Sequence, residues 1–105
     1  MAAPSIVSDL NSTFKYYEVD GFDESMKEFA KMTILLAFNE YPNDGDPNDF
    51  KRANLVKNKF EERFGKSWSC TFIKDGDFCT SYSTYFIEIE YKGYNISIFI
   101  HSIKK

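Results

Sequence analysis

Few residues of this chain could do chemistry, and their spacing limits what they can do. The run Pro42-Asn43-Asp44-Gly45-Asp46-Pro47-Asn48-Asp49 is rich in oxygen ligands and invites a calcium loop through Asp44, Asp46 and Asn48. Counted from Asp44, however, the sixth position is Asp49 where such a loop needs glycine, and the twelfth is Leu55 where it needs glutamate. Pro47 inside the run is a further objection. The better reading is a turn that delivers Asp46 as a helix cap with Pro47 at the first helical position. The single histidine, His101, has no Cys or Ser partner at a spacing used for nucleophilic catalysis. Glu88 and Glu90 share one face of a strand, where such carboxylates form a solvated row. Cys70 and Cys79 are too few for a disulfide scaffold and read as reduced core thiols of a cytosolic protein. Phosphate loop, metal-ligand spacing and nucleophile elbow are all missing. The sequence asks for no enzyme, no metal and no cofactor.

What remains is a scaffold. With 105 residues the chain makes one domain, and 43% hydrophobic with 18% aromatic content excludes disorder. A net charge of −3 without a basic stripe argues against nucleic-acid binding. No window is apolar enough for a membrane span, and the start, Met-Ala-Ala-Pro-Ser, carries no secretory signal. The matches to the glycosylation pattern at Asn11-Ser12-Thr13 and Asn95-Ile96-Ser97 are therefore read as accidental.

The block from Trp68 to Ile103 reads as four short strands. Around Lys92-Gly93, antiparallel pairing sets Tyr91 opposite Tyr94, Ile89 opposite Ile96, Ile87 opposite Ile98 and Tyr85 opposite Ile100. All these side chains fall on one face, and a slip by one residue would bring Glu88, Glu90 and Asn95 there instead. A second hairpin is expected at Asp75-Gly76, between 68–73 and 78–82, with Cys70 opposite Ser81 and Cys79 opposite Phe72. Upstream, residues 14–19 are rich in β-formers and end at Gly21. Residues 1–13 carry Ile6, Val7 and Leu10 at helical spacing with Phe14, too short a stretch to stand alone, and read as a flexible tail or linker remnant.

Two helices lie between. The first opens at Asp23 as N-cap and stops at Pro42. Met26, Phe29, Ala30, Thr33, Ala37 and Tyr41 form one face, and Met32, Leu35, Leu36 and Phe38 widen it until most of the helix should be covered. The second runs from about Pro47 to Phe64, with Phe50, Ala53, Val56, Phe60 and Phe64 as its apolar stripe and Gly65 at its end. Trp68, Phe60, Phe64, Ile96, Ile98 and Ile100 are the expected core.

From Phe14 onward the sequence resembles the small cytoplasmic dynein light chain family. The residues that carry the resemblance are Asp23-Glu24-Ser25-Met26, then Val56-Lys57-Asn58-Lys59-Phe60-Glu61-Glu62-Arg63-Phe64, then Trp68-Ser69-Cys70, then Tyr91-Lys92-Gly93. The resemblance implies an α+β fold over residues 14–105, two helices packed on an antiparallel-dominated β-sheet in a strand-exchanged homodimer. It implies a non-catalytic binding hub, cytoplasmic and cytoskeleton-associated, that takes linear peptide segments of partner proteins by β-strand addition, the dynein intermediate chain being one candidate. Carried over by position, the groove strand is Phe78, Cys79, Thr80, Ser81 and Tyr82, preceded by Lys74 and Asp75. Ile87, Ile89 and Tyr91 form the floor, and Asp49 and Phe50 stand at the start of the second helix. The segment from Asp75 to Tyr82 departs from the family pattern, as do Ser69 and Tyr82 in place of histidines and Ile87 and Ile89 in place of aromatic residues. Similar domains follow paired EF-hands in flatworm tegumental calcium-binding proteins, which makes a C-terminal dimerisation domain with divergent or lost peptide binding the alternative. On oligomeric state the readings conflict. A tight hairpin at Asp75-Gly76 would keep the strand at home in a monomer, whereas the resemblance implies a dimer, which is the expectation adopted.

Overall fold

The computed structural model describes residues 14–65, 67–76 and 85–100. In chain order these form β1 (Lys15–Asp20), α1 (Glu24–Glu40), α2 (Asn48–Phe64), β2 (Trp68–Lys74), β3 (Phe86–Tyr91) and β4 (Tyr94–Ile100). The strands make one antiparallel sheet in the order β1-β3-β4-β2. Two helices packed on an antiparallel sheet is the α+β architecture expected.

The centre of the sheet is the hairpin foreseen. Tyr91 pairs with Tyr94, Ile89 with Ile96 and Ile87 with Ile98, and the Ile100 N–H reaches the Tyr85 carbonyl at 3.1 Å just beyond the ladder. The connecting turn has φ of 53° at Lys92 and 80° at Gly93, the two positive values that a type I′ turn requires. Lysine accepts its strained position because glycine takes the next one.

β2 has a neighbour beyond the one expected from the sequence. Cys70 faces Ile98, and β2 runs the length of β4 from Trp68 opposite Ile100 to Lys74 opposite Tyr94. Asp75 continues this ladder by donating its N–H to the Gly93 carbonyl at 3.1 Å. The physical reason lies in β4, whose residues 96–99 are all buried, so that it needs a neighbour on both edges. The expected strand 78–82, with Cys79, lies outside the described residues, as do residues 1–13 and His101.

Asp23 caps α1 as expected, its carboxylate accepting the Met26 N–H at 2.9 Å. The buried α1 positions are Met26, Ala30, Thr33, Ile34, Ala37 and Phe38. Two residues expected under cover are not: Met32 is 62% exposed and Leu36 36%. In α2 the Asp46 cap is corrected as well, since the helix starts at Asn48 behind Pro47 with no side-chain cap. Gly65 closes α2 at φ 75°, its N–H on the Glu61 carbonyl. The apolar stripe is rotated from the one expected: Val56 and Phe60 are buried, but Phe50 is 64% exposed and Arg52 takes the inward place. Of the expected core, Trp68, Phe60, Ile96 and Ile98 are buried, while Phe64 and Ile100 are half-buried.

Ring packing binds the layers. Phe60 lies 4.9 Å from Trp68 and 5.0 Å from Phe29, centroid to centroid, with Phe22 and Phe64 within 6.0 Å. These separations suit edge-to-face and tilted pairs. A second group joins Phe38 to Phe72, Tyr91 and Tyr94 at 5.3 to 5.8 Å.

Candidate functional site

Three places in the fold concentrate polar or exposed groups beyond what packing needs. The first is Arg52, whose side chain is fully buried. Its Nε donates to the Tyr41 carbonyl at 2.8 Å and Nη2 to the Asn43 carbonyl at 3.3 Å. The same guanidinium pairs with Asp44 at 3.2 Å and Asp49 at 3.4 Å, and lies 4.0 Å from the Phe38 ring centroid. Such a cation is tolerated inside only because nearly every donor is used and its face is stacked. Asp49 also accepts the Tyr94 hydroxyl at 2.6 Å and the Gly45 N–H at 3.2 Å. Burial first, and then that bond to Asp49, push the Tyr94 phenol up to about 12. Asp44 reaches outward to Lys74 at 3.1 Å. Hydrogen bonding from Lys74 is the main reason its carboxyl lies below the ordinary range, with Arg52 adding to it. The charges therefore alternate along Lys74, Asp44, Arg52 and Asp49, and they tie the acidic loop to the end of β2 and to β4.

The second place is the sheet face turned away from the helices. One transverse row crosses all four strands, from Glu18 to Glu88, then Ser97, then Thr71. Ser97 Oγ and Thr71 Oγ1 are buried and have no hydrogen-bond partner among the described residues. Glu88 stands directly opposite Glu18, and its carboxyl is raised, first by desolvation and then by that neighbour's charge. In the next row Glu90 accepts the Tyr17 hydroxyl, so the pair of carboxylates is not the freely solvated row expected. Phe86 and Phe99 form a pair on the same face at 5.9 Å, 6% and 7% exposed.

The residues singled out for a groove are scattered by the fold. Asp49 and Lys74 lie at opposite ends of the charge chain just described. Phe50 is exposed beside Asp49, and Asp75 is exposed at φ 54° after β2. Ile87 and Ile89 are fully buried and Tyr91 nearly so, beneath the helices. They can support a groove from below but offer a ligand little surface. Phe78, Cys79, Thr80, Ser81 and Tyr82 lie outside the described residues. The Cys70 thiol is pushed up by burial alone, as befits an inert core thiol. Among the described residues no group of three His, Cys, Asp or Glu side chains could hold a metal, and no helix is long and apolar enough to cross a membrane.

Arg52 was invisible to the apolar pattern. One signal was present: Arg52, Val56 and Phe60 are spaced four apart, so a line through the two apolar residues leads to the arginine.

No family model and no curated protein matches the chain. Solved structures do. The dynein light chain-like domain of the Fasciola hepatica calcium binding protein FhCaBP2, as a mercury derivative, superposes with a TM-score of 0.75 at 13% identity, covering 88% of this chain and 95% of that one. The native form of that domain gives 0.74 at 13% identity, covering 90% and 97%. This chain has the dynein light chain-like fold. Its charge chain therefore sits at the start of the second helix of that fold, and its polar row on the side of the sheet turned away from the helices.

Proposed function

We propose that this dynein light chain-like chain is a non-catalytic interaction module that pairs with a second copy through exchanged strands and binds linear peptide segments by strand addition. The observation that carries the reading is the sheet face turned away from the helices, where Ser97 and Thr71 have no hydrogen-bond partner among the described residues. Buried hydroxyls without partners cost free energy, and a second copy related by a two-fold axis can bring a carboxylate to Ser97 and Thr71. Exchange of residues 78–82 would place a partner's strand beside β2, whose outer edge has no neighbour among the described strands. A peptide added there would gain backbone hydrogen bonds, with Phe50 on α2 close to the end of the groove. Cytoplasmic location, cytoskeletal association and the dynein intermediate chain as client belong to this same reading.

Sedimentation at micromolar concentration tests the pairing, and a single monomeric species across that range sinks it. Peptide arrays test the groove, with Thr80→Pro as the disabling variant because proline removes a backbone donor. Unchanged binding by that variant moves the site elsewhere.

A second reading is that the chain serves as the dynein light chain-like domain of a calcium-binding protein, with peptide binding altered or lost. The engagement of Asp49 and Lys74 in internal ion pairs favours it, because neither is free to meet a client. Arrays that yield no binder from a chain that still dimerises would select this reading. Tight calcium binding by this chain would count against both.

A further inference from the structure

Five large apolar side chains are exposed among the described residues. Phe50, at 64% the most exposed, stands at the start of α2, and Tyr17 and Val19 belong to β1. Met32 and Leu36 differ from these because they share a cavity. With Leu35, Phe38, Asn39 and Lys92 they line an open cleft of about 580 Å³ beside α1. Contiguous apolar surface on a small domain marks a place where something docks.

The charges around the cleft identify the occupant. Glu28, Met32 and Leu36 are spaced four apart on α1, which sets them in one line along the helix. At the N-terminal end of that line the Glu28 side chain is 64% exposed. Lys92 stands toward the other end, its ammonium 5.9 Å from the Phe38 ring centroid. Among the described residues no carboxylate is paired with it. In the direction of α1 the surface thus runs acid, apolar, cation. The same surface on a second copy, turned antiparallel, sets cation over acid at both ends, which is the self-complementarity that a two-fold contact requires. Antiparallel helices also oppose their dipoles favourably.

The register closes on the apolar centre. With the two-fold axis between Leu35 and Leu36, each Leu35 meets the partner's Leu36, and Met32 meets the partner's Asn39. Glu40, exposed at the C-terminal end of α1, meets the partner's Lys31. Lys92 then stands about one helical turn, roughly 5.4 Å, from the partner's Glu28, within reach of its flexible stem. Met32 suits such a seat, because its unbranched thioether fills irregular gaps. The surface covered is small, so the contact is weak and reversible.

We propose that the α1 cleft receives the α1 helix of a second copy, antiparallel across a two-fold axis, with Lys92 of each chain paired to the partner's Glu28. This contact is apart from the sheet face and the β2 edge invoked for strand exchange. Where both form, they build assemblies larger than a pair.

Sedimentation of the full chain at concentrations up to about 1 mM reads the contact. Met32→Lys puts a charge into the cleft at an exposed position, and the NMR signal of the buried Met26 methyl checks that the core is intact. The mass of the assembly should fall by half in this variant, whether or not strand exchange forms a first pair. Lys92→Glu and Glu28→Lys should each weaken the same association about tenfold, since each reverses two exposed charge pairs. Mixed in equal amounts, these two single variants should regain the affinity of the unaltered chain, because the mixed pair again sets cation over acid at both ends. A role for either residue within its own chain gives no such rescue. A mass unchanged by Met32→Lys overturns the proposal, and so does a mixture that associates no better than its parts. Loss of strand exchange alone would still leave a pair that Met32→Lys breaks.

Discussion

The two faces of the sheet were built to different standards. Under the helices, the rings of Phe60, Trp68, Phe29 and Phe22 pack against one another, and the one cation, Arg52, has its donors matched. On the opposite face the row Glu18, Glu88, Ser97 and Thr71 sets like charges side by side and buries two hydroxyls without partners among the described residues. Trp68 Nε1 and the Tyr16 hydroxyl on the helix side also lack partners among the described residues, so the faces differ in charge more than in saturation, the opposite one setting carboxylates side by side.

The contrast can be broken most directly at Phe60. Its ring is fully buried, so Phe60→Ala should cost about 3–5 kcal/mol in urea unfolding. A loss under about 1 kcal/mol would mean that the helix-covered face is not the main store of stability. Next comes Arg52→Leu. Removing one partner of a buried pair costs about 3–5 kcal/mol, and the lower end applies because Asp44 is half exposed and can rehydrate. Arg52→Lys should recover only part of it, since an ammonium cannot reach four acceptors across a planar fork. Full recovery would reduce Arg52 to a point charge.

On the opposite face the sign reverses. Thr71→Val deletes a buried hydroxyl that lacks a partner among the described residues, and should raise the stability of the dilute monomer by up to about 1 kcal/mol. In sedimentation the same change should weaken self-association, if the second copy is what satisfies that oxygen. A loss of monomer stability would show that the hydroxyl is already bonded at home.

The smallest effect is expected at Glu88. Its carboxyl is raised above the ordinary 4.5 by desolvation and then by Glu18. The folded chain thus holds this proton more readily than the unfolded one, and stability falls as pH rises from the ordinary value through the folded one. Glu88→Gln should therefore stabilise at pH 7 by roughly 0.2–1 kcal/mol, the worth of a like-charged cross-strand pair. The gain should vanish below about pH 4, where the carboxyl is protonated in both states. A gain that persists there would assign the cost to packing, not charge.

Sequence reading fared unevenly across the same two faces. The β3-β4 hairpin was legible because Ile87, Ile89 and Tyr91 alternate with polar residues and print their register across a two-residue turn. Cap Asp23 and terminator Gly65 were equally local signals. Pairing of β2 with β4 was not legible, since Asp75-Gly76 carries a strong local turn signal and the β4 edge is seen only once the sheet exists. Arg52 was hidden for a related reason. Whether an arginine can be buried depends on acceptors from Tyr41, Asn43, Asp44 and Asp49, and only the folded loop gathers them. Of the candidate groove, the pattern placed Ile87 and Ile89 on an apolar face correctly but could not say that the helices would cover them.

The Lys92-Gly93 turn also sets a clock. It joins the two central strands, so the middle of the sheet can close within about 1–10 μs of becoming available. The outer strand β1 stands at the other extreme, because Lys15 meets Glu90 only after 75 further residues, 90 less 15, have been made. At about 5–20 residues per second that is a wait on the order of 4–15 s on the ribosome. Throughout it, Tyr16, Tyr17 and Val19 have no strand to pair with. Lys15, Glu18 and Asp20, interleaved with them, are the charges that keep such a strand from pairing with the wrong neighbour. The first strand made is the last to be sheltered.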